Sequence, residues 1–349
     1  MLTSTSSVTP PDPSPNTPFL MTNILIVGAG GIGERHLRCF QKIGVGRVGI
    51  VESHPERRAL IASRYQCPSY ATWNEAQADG SWTAAVVATP AQTHIPIAID
   101  LLQAGLDLLI EKPLSVSPDR LEELKAFDVK RAIRVAYVYR HMAPVAELKH
   151  LLDNGDFGQP LSAQVACGED FSKARPDYAS LYYARHETGG GAIQDVLTHF
   201  VNAMDWLVGP AQAIHCLAAN RKLKDVSVED TVSCSIRHAG GCIANYYLSQ
   251  GQAPEESSFT IHCENGSLRA DLTTARVLTF SAGSPEWIPI QFGPFERDDF
   301  YIRQAHAFLA AIKGESDPSC TLAEAIHSLQ GNIAALASAQ TNQLMEIKS

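Results

Sequence analysis

Hydrophobic and polar positions repeat in one pattern over the first third of the chain. A continuous apolar run, NILIV, is followed by a glycine-rich turn and then by apolar residues at helical spacing from Ile32 to Ile43. Further apolar runs, AAVV, LDLLI and IRVAYV, alternate with helical segments. Short buried strands that alternate with helices are typical of a parallel sheet covered on both faces. The pattern predicts a doubly wound α/β domain over residues 21–140.

A different pattern begins after this domain. A helical segment near 143–154 and a polar, tyrosine-rich loop precede strand-like runs at 212–219, 228–237, 242–250, 257–264 and 267–280. Such closely spaced strands, joined by short turns such as HAGG and ENGS, favour a largely antiparallel sheet. Two helical patterns near 297–313 and 321–341 follow. We therefore expect a second α/β domain over 141–349 with an open sheet, whose last helices can pack back on the first domain.

The first twenty residues differ in composition from both domains. They contain five prolines and many Ser and Thr residues, with no Lys or Arg, and they lack the basic and long apolar regions of a secretion signal. We expect a disordered tail over residues 1–20. No apolar run elsewhere reaches the roughly 18 residues of a membrane-spanning helix, so we expect no membrane partner.

Composition and charge narrow the classes of partner. The chain has 349 residues, 45% hydrophobic and 19% charged, with a formal net charge of -9 and no basic stripe. This charge argues against nucleic acid as a partner. The eight cysteines are scattered without metal-site or disulfide spacing, which indicates reduced thiols in a cytoplasmic protein and no metal site.

The glycine-rich turn has the spacing of a dinucleotide-binding loop. Gly28, Gly30 and Gly33 fit G-x-G-x-x-G, with Gly31 and Ile32 inside the motif. The first glycine permits a tight turn, the second lets the backbone approach a diphosphate, and the third lets helix and strand pack closely. The diphosphate would then lie at the N-terminus of the following helix. This predicts a Rossmann domain.

The end of the second strand carries the next candidate. RVGIVE ends in Glu52, where a carboxylate can accept hydrogen bonds from both hydroxyls of the adenosine ribose. A 2′-phosphate would meet that negative charge, so NAD is favoured, although Arg57 and Arg58 lie close enough to soften the repulsion toward NADP. In the alternative interpretation, Glu52 only ends a strand and the arginines form a solvated helix face.

Taken in order, the motifs resemble one known family. GAGGIG, Glu52, ATPAQTH, IEKPL, YVYRHMAP and GGGAIQDVLTH follow one another as in the Gfo/Idh/MocA family, over most of residues 21–340. The resemblance implies a Rossmann domain and a C-terminal α/β domain whose open sheet forms a subunit interface, and hence a homodimer or homotetramer. It also implies nicotinamide-dependent oxidation of a secondary hydroxyl on a sugar or polyol. Through it, Thr89, Pro90, His94, Glu111 and Lys112 join the cofactor site.

Lys112 lies just beyond an apolar strand, where ligands of open α/β sheets bind. Its ammonium group could stabilise a developing alkoxide, or polarise a carbonyl in the reverse direction. From the residues alone, a surface lysine between Glu111 and Pro113 is the simpler explanation. The resemblance implies the catalytic one.

Asp195 and His199 are four residues apart and would share one face of a helix. Histidine suits proton exchange near neutral pH, so we assign His199 as general base and acid, and Asp195 as a ligand of a substrate hydroxyl. The preceding glycines would let the backbone pass close to the nicotinamide or sugar. Alternatively, the pair is a local cap and a half-buried core histidine. Two positions depart from the family's pattern: Leu197 replaces a glycine and Ala91 an asparagine.

Substrate recognition is expected from a loop before the glycines and from one residue after the Rossmann domain. The candidates are Arg140, Arg175, Tyr178, Tyr182 and Arg185, together with Lys112, Asp195 and His199; Lys173, Tyr183 and His186 lie in the same loop. Aromatic faces and guanidinium groups suit a hydroxylated ring with an anionic substituent, such as a uronic acid or nucleotide sugar. A solvated surface or a subunit contact explains the loop equally well.

Three functions fit these residues. The first is an NAD-dependent sugar or polyol dehydrogenase. The second oxidises a sugar transiently to cleave or epimerise it and leaves bound NAD unchanged. The third is a binding protein that senses a dinucleotide without catalysis. The presence of Lys112, Asp195 and His199 together counts against the third, because a sensor needs no proton-transfer group.

Overall fold

The computed structural model describes residues 22–293 and 295–348, so the predicted tail at 1–20 lies outside the described residues. Contacts within the chain divide them into two compact units. The first unit contains 22–141 and 296–329, and the second contains 142–293, residue 295 and 330–348. The helical region 296–329, which follows the second domain's strands in sequence, therefore belongs to the first unit.

Strands alternate with helices through residue 135, whereas the seven strands between residues 211 and 291 follow one another without an α-helix. The strands are β1 (Asn23–Val27), β2 (Arg47–Val51), β3 (Ser69–Tyr70), β4 (Ala84–Val87), β5 (Asp107–Ile110), β6 (Ile133–Val135), β7 (Pro160–Asp170), β8 (Ala211–Ala219), β9 (Thr231–His238), β10 (Ile243–Ser249), β11 (Gly251–Cys263), β12 (Gly266–Asp271), β13 (Arg276–Ser281), β14 (Ile288–Gln291), β15 (Cys320–Thr321) and β16 (Met345–Glu346).

The α-helices show the same division. They are α1 (Gly31–Lys42), α2 (Pro55–Tyr65), α3 (Trp73–Asp79), α4 (His94–Gln103), α5 (Leu121–Lys125), α6 (Ala143–Asp153), α7 (Phe171–Ala174), α8 (Thr198–Val208), α9 (Arg297–Ile312) and α10 (Leu322–Thr341). A π-helical segment, Ile193–Leu197, directly precedes α8.

The first unit is built around a parallel sheet in the order β15-β6-β5-β4-β1-β2-β3, in which only β15 runs antiparallel to its neighbour. Both faces of the sheet are covered. In β1, Leu25 and Val27 contribute to one apolar cluster, and Ile24 and Ile26 to the other. Helix α9 packs into the second cluster. Because β1 is buried on both faces, its sequence is apolar at every position after Asn23, and the predicted doubly wound Rossmann fold is confirmed.

The second unit is built around an open sheet in the order β14-β13-β12-β11-β7-β10-β9-β8-β16. Its neighbours are antiparallel, apart from the parallel pair β7 and β10. In β9, Cys234 and Ile236 are buried while Ser233, Ser235 and Arg237 are exposed. This alternation indicates one packed and one open face, so the predicted largely antiparallel sheet is confirmed.

The predicted strand at 267–280 is wrong in one respect, because it is two strands. β12 ends at Asp271, whose carboxylate accepts hydrogen bonds from the backbone N–H groups of Thr273 and Thr274. Ala275 then adopts a φ of 48°, and β13 begins at the next residue.

No helix in the described part of the chain combines the length and the apolar character that a membrane span requires.

Candidate active site

The glycine loop joins β1 to α1, and the structure separates two reasons for its glycines. Gly28 has a φ of +93°, and a Cβ there would lie 2.7 Å from the carbonyl oxygen of Ala88. A Cβ on Gly33 would lie 1.9 Å from the carbonyl oxygen of Gly28. These two glycines are required by the packing of the chain itself.

Gly30 and Gly31 have no such reason. A Cβ at either position would meet no atom within 4 Å. They lie at the start of α1, where unpaired N–H groups and the helix dipole favour an anion. The open space beside these glycines fits the diphosphate of a dinucleotide, and Ile32 next to them packs against the core of the first unit.

Glu52 ties the end of β2 to this loop. Its Oε2 accepts a hydrogen bond from the backbone N–H of Ala29 at 3.1 Å, and its Oε1 accepts one from His54 at 2.9 Å. The guanidinium of Arg57 lies 3.5 Å from Oε2 and is half exposed. An ionised carboxylate has about four acceptor sites, and these three donors leave one for a further donor, on Oε1. The residue fits the ribose role predicted for it.

Thr89 and Pro90 follow β4, and His94 holds this segment to the one that follows β5. His94 is buried, with Nε2 2.7 Å from the carbonyl oxygen of Thr89 and Nδ1 3.0 Å from that of Pro113. Burial lowers the pKa of its imidazole, which favours the neutral form. His94 therefore has a structural role and joins the segments that follow two neighbouring strands, β4 and β5.

Glu111 and Lys112 follow β5 directly. Glu111 is buried, and its Oε2 accepts a hydrogen bond from the backbone N–H of Lys112 at 3.1 Å. Its Oε1 lies 2.7 Å from Nε2 of His36, a buried residue of α1 that sequence reasoning missed. The Lys112 side chain is half-buried. The His36–Glu111 pair thus links the helix after the glycine loop to the backbone of the candidate catalytic lysine.

Asp195 and His199 lie in the second unit, in a helix that is not α-helical throughout. Asp195 is in the π-helical segment and only 8% exposed, whereas His199 is half-buried in the first turn of α8. The backbone N–H of Thr198 donates to the carbonyl oxygen of Ile193, five residues earlier. The helix that carries both residues is therefore π-helical before Thr198 and α-helical from Thr198 onward. Single π-turns inside helices are frequent at functional sites.

The glycines before this segment are explained by contacts within the second unit. Gly189 and Gly191 have φ values of 88° and 87°. A Cβ on Gly190 would lie 2.1 Å from the carbonyl oxygen of Tyr183, and one on Gly191 would lie 2.6 Å from Oε1 of Glu229. The predicted approach to a nicotinamide or sugar stays a prediction, because packing already requires glycine at these positions.

The predicted recognition loop divides into contacting and exposed residues. The hydroxyl of Tyr182 donates a hydrogen bond to Oδ1 of Asp195 at 3.0 Å, so the structure brings these two candidates together. The Tyr178 hydroxyl accepts from the backbone N–H of Lys224 at 2.9 Å. The side chains of Lys173, Arg175 and Arg185 are exposed. Tyr183 is a core residue whose hydroxyl donates to Oε1 of Gln250.

Arg140 has a different environment. It is 2% exposed, and its Nη1 lies 2.9 Å from Oε1 of Glu324, within the first unit. We therefore leave Arg140 out of the substrate site proposed below. Leu197 and Ala91, the two departures from the family pattern, are both buried. Among the described residues, no group of three or more His, Cys, Asp or Glu side chains could hold a metal ion.

The fold and these side chains define a dinucleotide-dependent oxidoreductase. Family models match two stretches of the chain: the NAD-binding Rossmann fold of an oxidoreductase family over residues 22–139, and the GFO/IDH/MocA C-terminal domain over residues 145–269. The protein belongs to the GFO/IDH/MocA family of oxidoreductases, and its first unit is an NAD-binding domain.

Named relatives act on small hydroxylated molecules. A 1,5-anhydro-D-fructose reductase from Ensifer adhaerens is 25% identical over 332 residues, covering 93% of this chain and 98% of that protein. A levoglucosan dehydrogenase from Pseudarthrobacter phenanthrenivorans is 26% identical over 285 residues, covering 70% and 72%. The structure of a levoglucosan dehydrogenase in complex with NADH shares the fold, with a TM-score of 0.85 and 22% identity over 94% of this chain and 99% of that one.

Proposed function

We propose that this protein transfers a hydride between NAD and a secondary hydroxyl of a sugar, sugar derivative or polyol. The observation that carries the proposal is the hydrogen bond from Tyr182 to Asp195, which presents a buried carboxylate beside an aromatic, partly exposed loop. The family supports the redox chemistry. The names of the relatives support a hydroxylated substrate.

The first unit would hold the cofactor. The N–H groups at Gly30, Gly31 and the start of α1 would bind the diphosphate, and Glu52 would accept the ribose hydroxyls. Thr89, Pro90 and Glu111 would border the nicotinamide end. NAD, when bound, supplies the acceptor for a hydride.

Three side chains would act on the substrate. Removal of a hydride from a carbinol carbon requires removal of the hydroxyl proton, and His199 would take that proton. Lys112 would stabilise the negative charge that develops on the oxygen. Asp195 would accept a hydrogen bond from a neighbouring hydroxyl and orient the ring, with Tyr182 holding the carboxylate. Tyr178, Arg175 and Arg185 would contact more distant parts of the substrate.

A panel of sugars, inositols, uronates and glycosides tests this proposal. Wild-type protein and NAD should give the absorbance of NADH with at least one member, and product analysis should show a ketone or lactone. Cleavage or epimerisation without accumulation of NADH would support the transient-oxidation alternative. Binding of NAD with no conversion of any member would contradict both.

We also propose that the open sheet face forms the contact of a homodimer or homotetramer in the cytoplasm. Leu217, Ser233 and Tyr247 lie side by side on β8, β9 and β10, and the two large side chains are 57% and 47% exposed. Light scattering should give a mass of at least two chains for the wild type, and Leu217→Glu with Tyr247→Glu should give single chains. An unchanged mass for the double variant would contradict this interface.

A further inference from the structure

Glu229 lies beneath the helix that carries Asp195, outside every motif of the sequence. It is only 7% exposed, and its Oε1 accepts a hydrogen bond from the backbone N–H of Ile193 at 2.8 Å. Its backbone carbonyl oxygen accepts a second one from Ala192 at 2.9 Å. Glu229 therefore holds the first residues of the helical segment, two positions before Asp195.

The other carboxylate oxygen of Glu229 holds the recognition loop. Oε2 lies 2.6 Å from Nε2 of His186, in the loop that also contains Tyr182. This loop is closed by its own contacts: Gln194 Nε2 donates to the carbonyl oxygen of His186 at 3.0 Å, and Thr188 Oγ1 donates to that of Tyr182. One carboxylate thus connects the start of the helix to the loop.

Electrostatic interactions support the contact between Glu229 and His186 in addition to its geometry. The hydrogen bond to Glu229 raises the pKa of His186, partial burial opposes this rise, and the charge of Glu187 adds to it. A histidine that donates to a largely buried carboxylate is held more firmly than one that donates to a carboxylate in open solvent. Gly191 faces the same carboxylate, and any larger residue there would displace it.

We propose that Glu229 and His186 form a positioning pair, which fixes Asp195 from the helix side and Tyr182 from the loop side so that the two meet in one geometry. This inference rests on the proposed function, in which Asp195 binds the reacting sugar. Glu229 is buried and contacts no substrate in this account. Its effect on turnover would come through the residues that it holds.

The test compares five variants with the wild type in steady-state kinetics. Glu229→Ala and His186→Ala should lower kcat about 10- to 100-fold, because a displacement of about 1 Å at a reacting centre has effects of this size. Glu229→Gln keeps an oxygen for the N–H of Ile193, and His186→Gln keeps an N–H for Glu229. Each should recover most of the lost rate. The KM for NAD should stay within about twofold, because the cofactor binds to the other unit.

Asp271→Ala is the matched control. Asp271 also lies in the second unit and accepts hydrogen bonds from two backbone N–H groups, in the turn after β12. Its loss should affect stability without the selective fall in kcat. An equal fall of kcat in Glu229→Ala and Asp271→Ala, a kcat of Glu229→Ala within about twofold of the wild type, or no recovery of kcat in His186→Gln would overturn the inference.

Two measurements without substrate separate this inference from the proposed function. Hydrogen exchange of peptides over 186–199 should become at least about tenfold faster in Glu229→Ala, because the variant lacks a hydrogen bond to a charged group that opposes local opening of this segment. The pKa of His186, followed by NMR, should fall in Glu229→Gln. Absence of both changes would refute the pair even if the enzyme is active. Both changes in a protein that converts no sugar would support the pair and contradict the function.

Discussion

Glu52 offers a quantitative test of cofactor choice. The substitution Glu52→Gln removes the negative charge and one of two carboxylate oxygens while nearly conserving size. In the structure, Oε2 accepts from the N–H of Ala29 and lies 3.5 Å from Nη1 of Arg57, while Oε1 accepts from the N–H of His54 and keeps one acceptor site. The glutamine amide has a single oxygen, so it cannot serve both backbone donors and both ribose hydroxyls.

The magnitude follows from this count. A hydrogen bond to a charged group contributes about 1.5–3 kcal/mol, and 1.4 kcal/mol is a tenfold change in affinity. Loss of one such bond should raise the Kd for NADH about 10- to 150-fold. The Kd for NADPH should not rise in parallel, because the charge that repels its 2′-phosphate is gone. The ratio of the Kd for NADPH to the Kd for NADH should therefore fall at least about tenfold.

Fluorescence titration with NADH and NADPH measures both constants directly. Arg57→Ala is the control, since its guanidinium lies 3.5 Å from Oε2 and is half exposed. Arg57→Ala should leave the Kd for NADH within about threefold of the wild-type value, because exposed ion pairs contribute little. It should raise the Kd for NADPH above the wild-type value. An unchanged NADPH/NADH ratio in folded Glu52→Gln would remove Glu52 from the ribose site.

Two further predictions concern stability. Gly33→Ala should lower the melting temperature by several degrees, because the new Cβ would lie 1.9 Å from the carbonyl oxygen of Gly28 and overpacking costs about 1–3 kcal/mol; Gly31→Ala, with no atom within 4 Å of the new Cβ, is the control, and equal melting temperatures would contradict the packing argument. Burial lowers the pKa of His141 to about 3. Between pH 6.5 and about pH 3 the unfolded chain therefore binds one more proton than the folded one, and stability falls by up to about 1.4 kcal/mol for each unit by which the pH is lowered. Urea unfolding should show a shallower fall in His141→Gln, and identical slopes would refute the linkage.

The fold of the first unit was predictable because its signals are local. Strands β1, β2, β4 and β5 are short, mostly apolar runs, and β1 is buried on both faces, so no register had to be known. The turn between β12 and β13 was missed although it has a local signal. The carboxylate of Asp271 accepts hydrogen bonds from the backbone N–H groups of Thr273 and Thr274. This is a common turn arrangement, and apolar periodicity does not detect it.

The parts of the candidate site that were missed depend on distant residues. Glu229 contacts His186 and Ile193 across the fold, and no spacing in the sequence connects them. His36 follows Gly33 by three residues on the buried side of α1, but its partner Glu111 lies 75 residues later in the sequence. The π-helical segment at Asp195 has no periodic signature in a short apolar run.

The central proposal is that Lys112, Asp195 and His199 each take part in the dehydrogenation of the substrate. Single-turnover hydride transfer to NAD, with the best substrate of the panel, tests it in Lys112→Ala, His199→Ala and the double variant. Each single variant should be slower by about 100-fold or more with NAD affinity intact, and the double variant should be little slower than the slower single one, because groups that act as a unit are not additive. Wild-type rates in both single variants, or effects that multiply fully in the double variant, would contradict the claim.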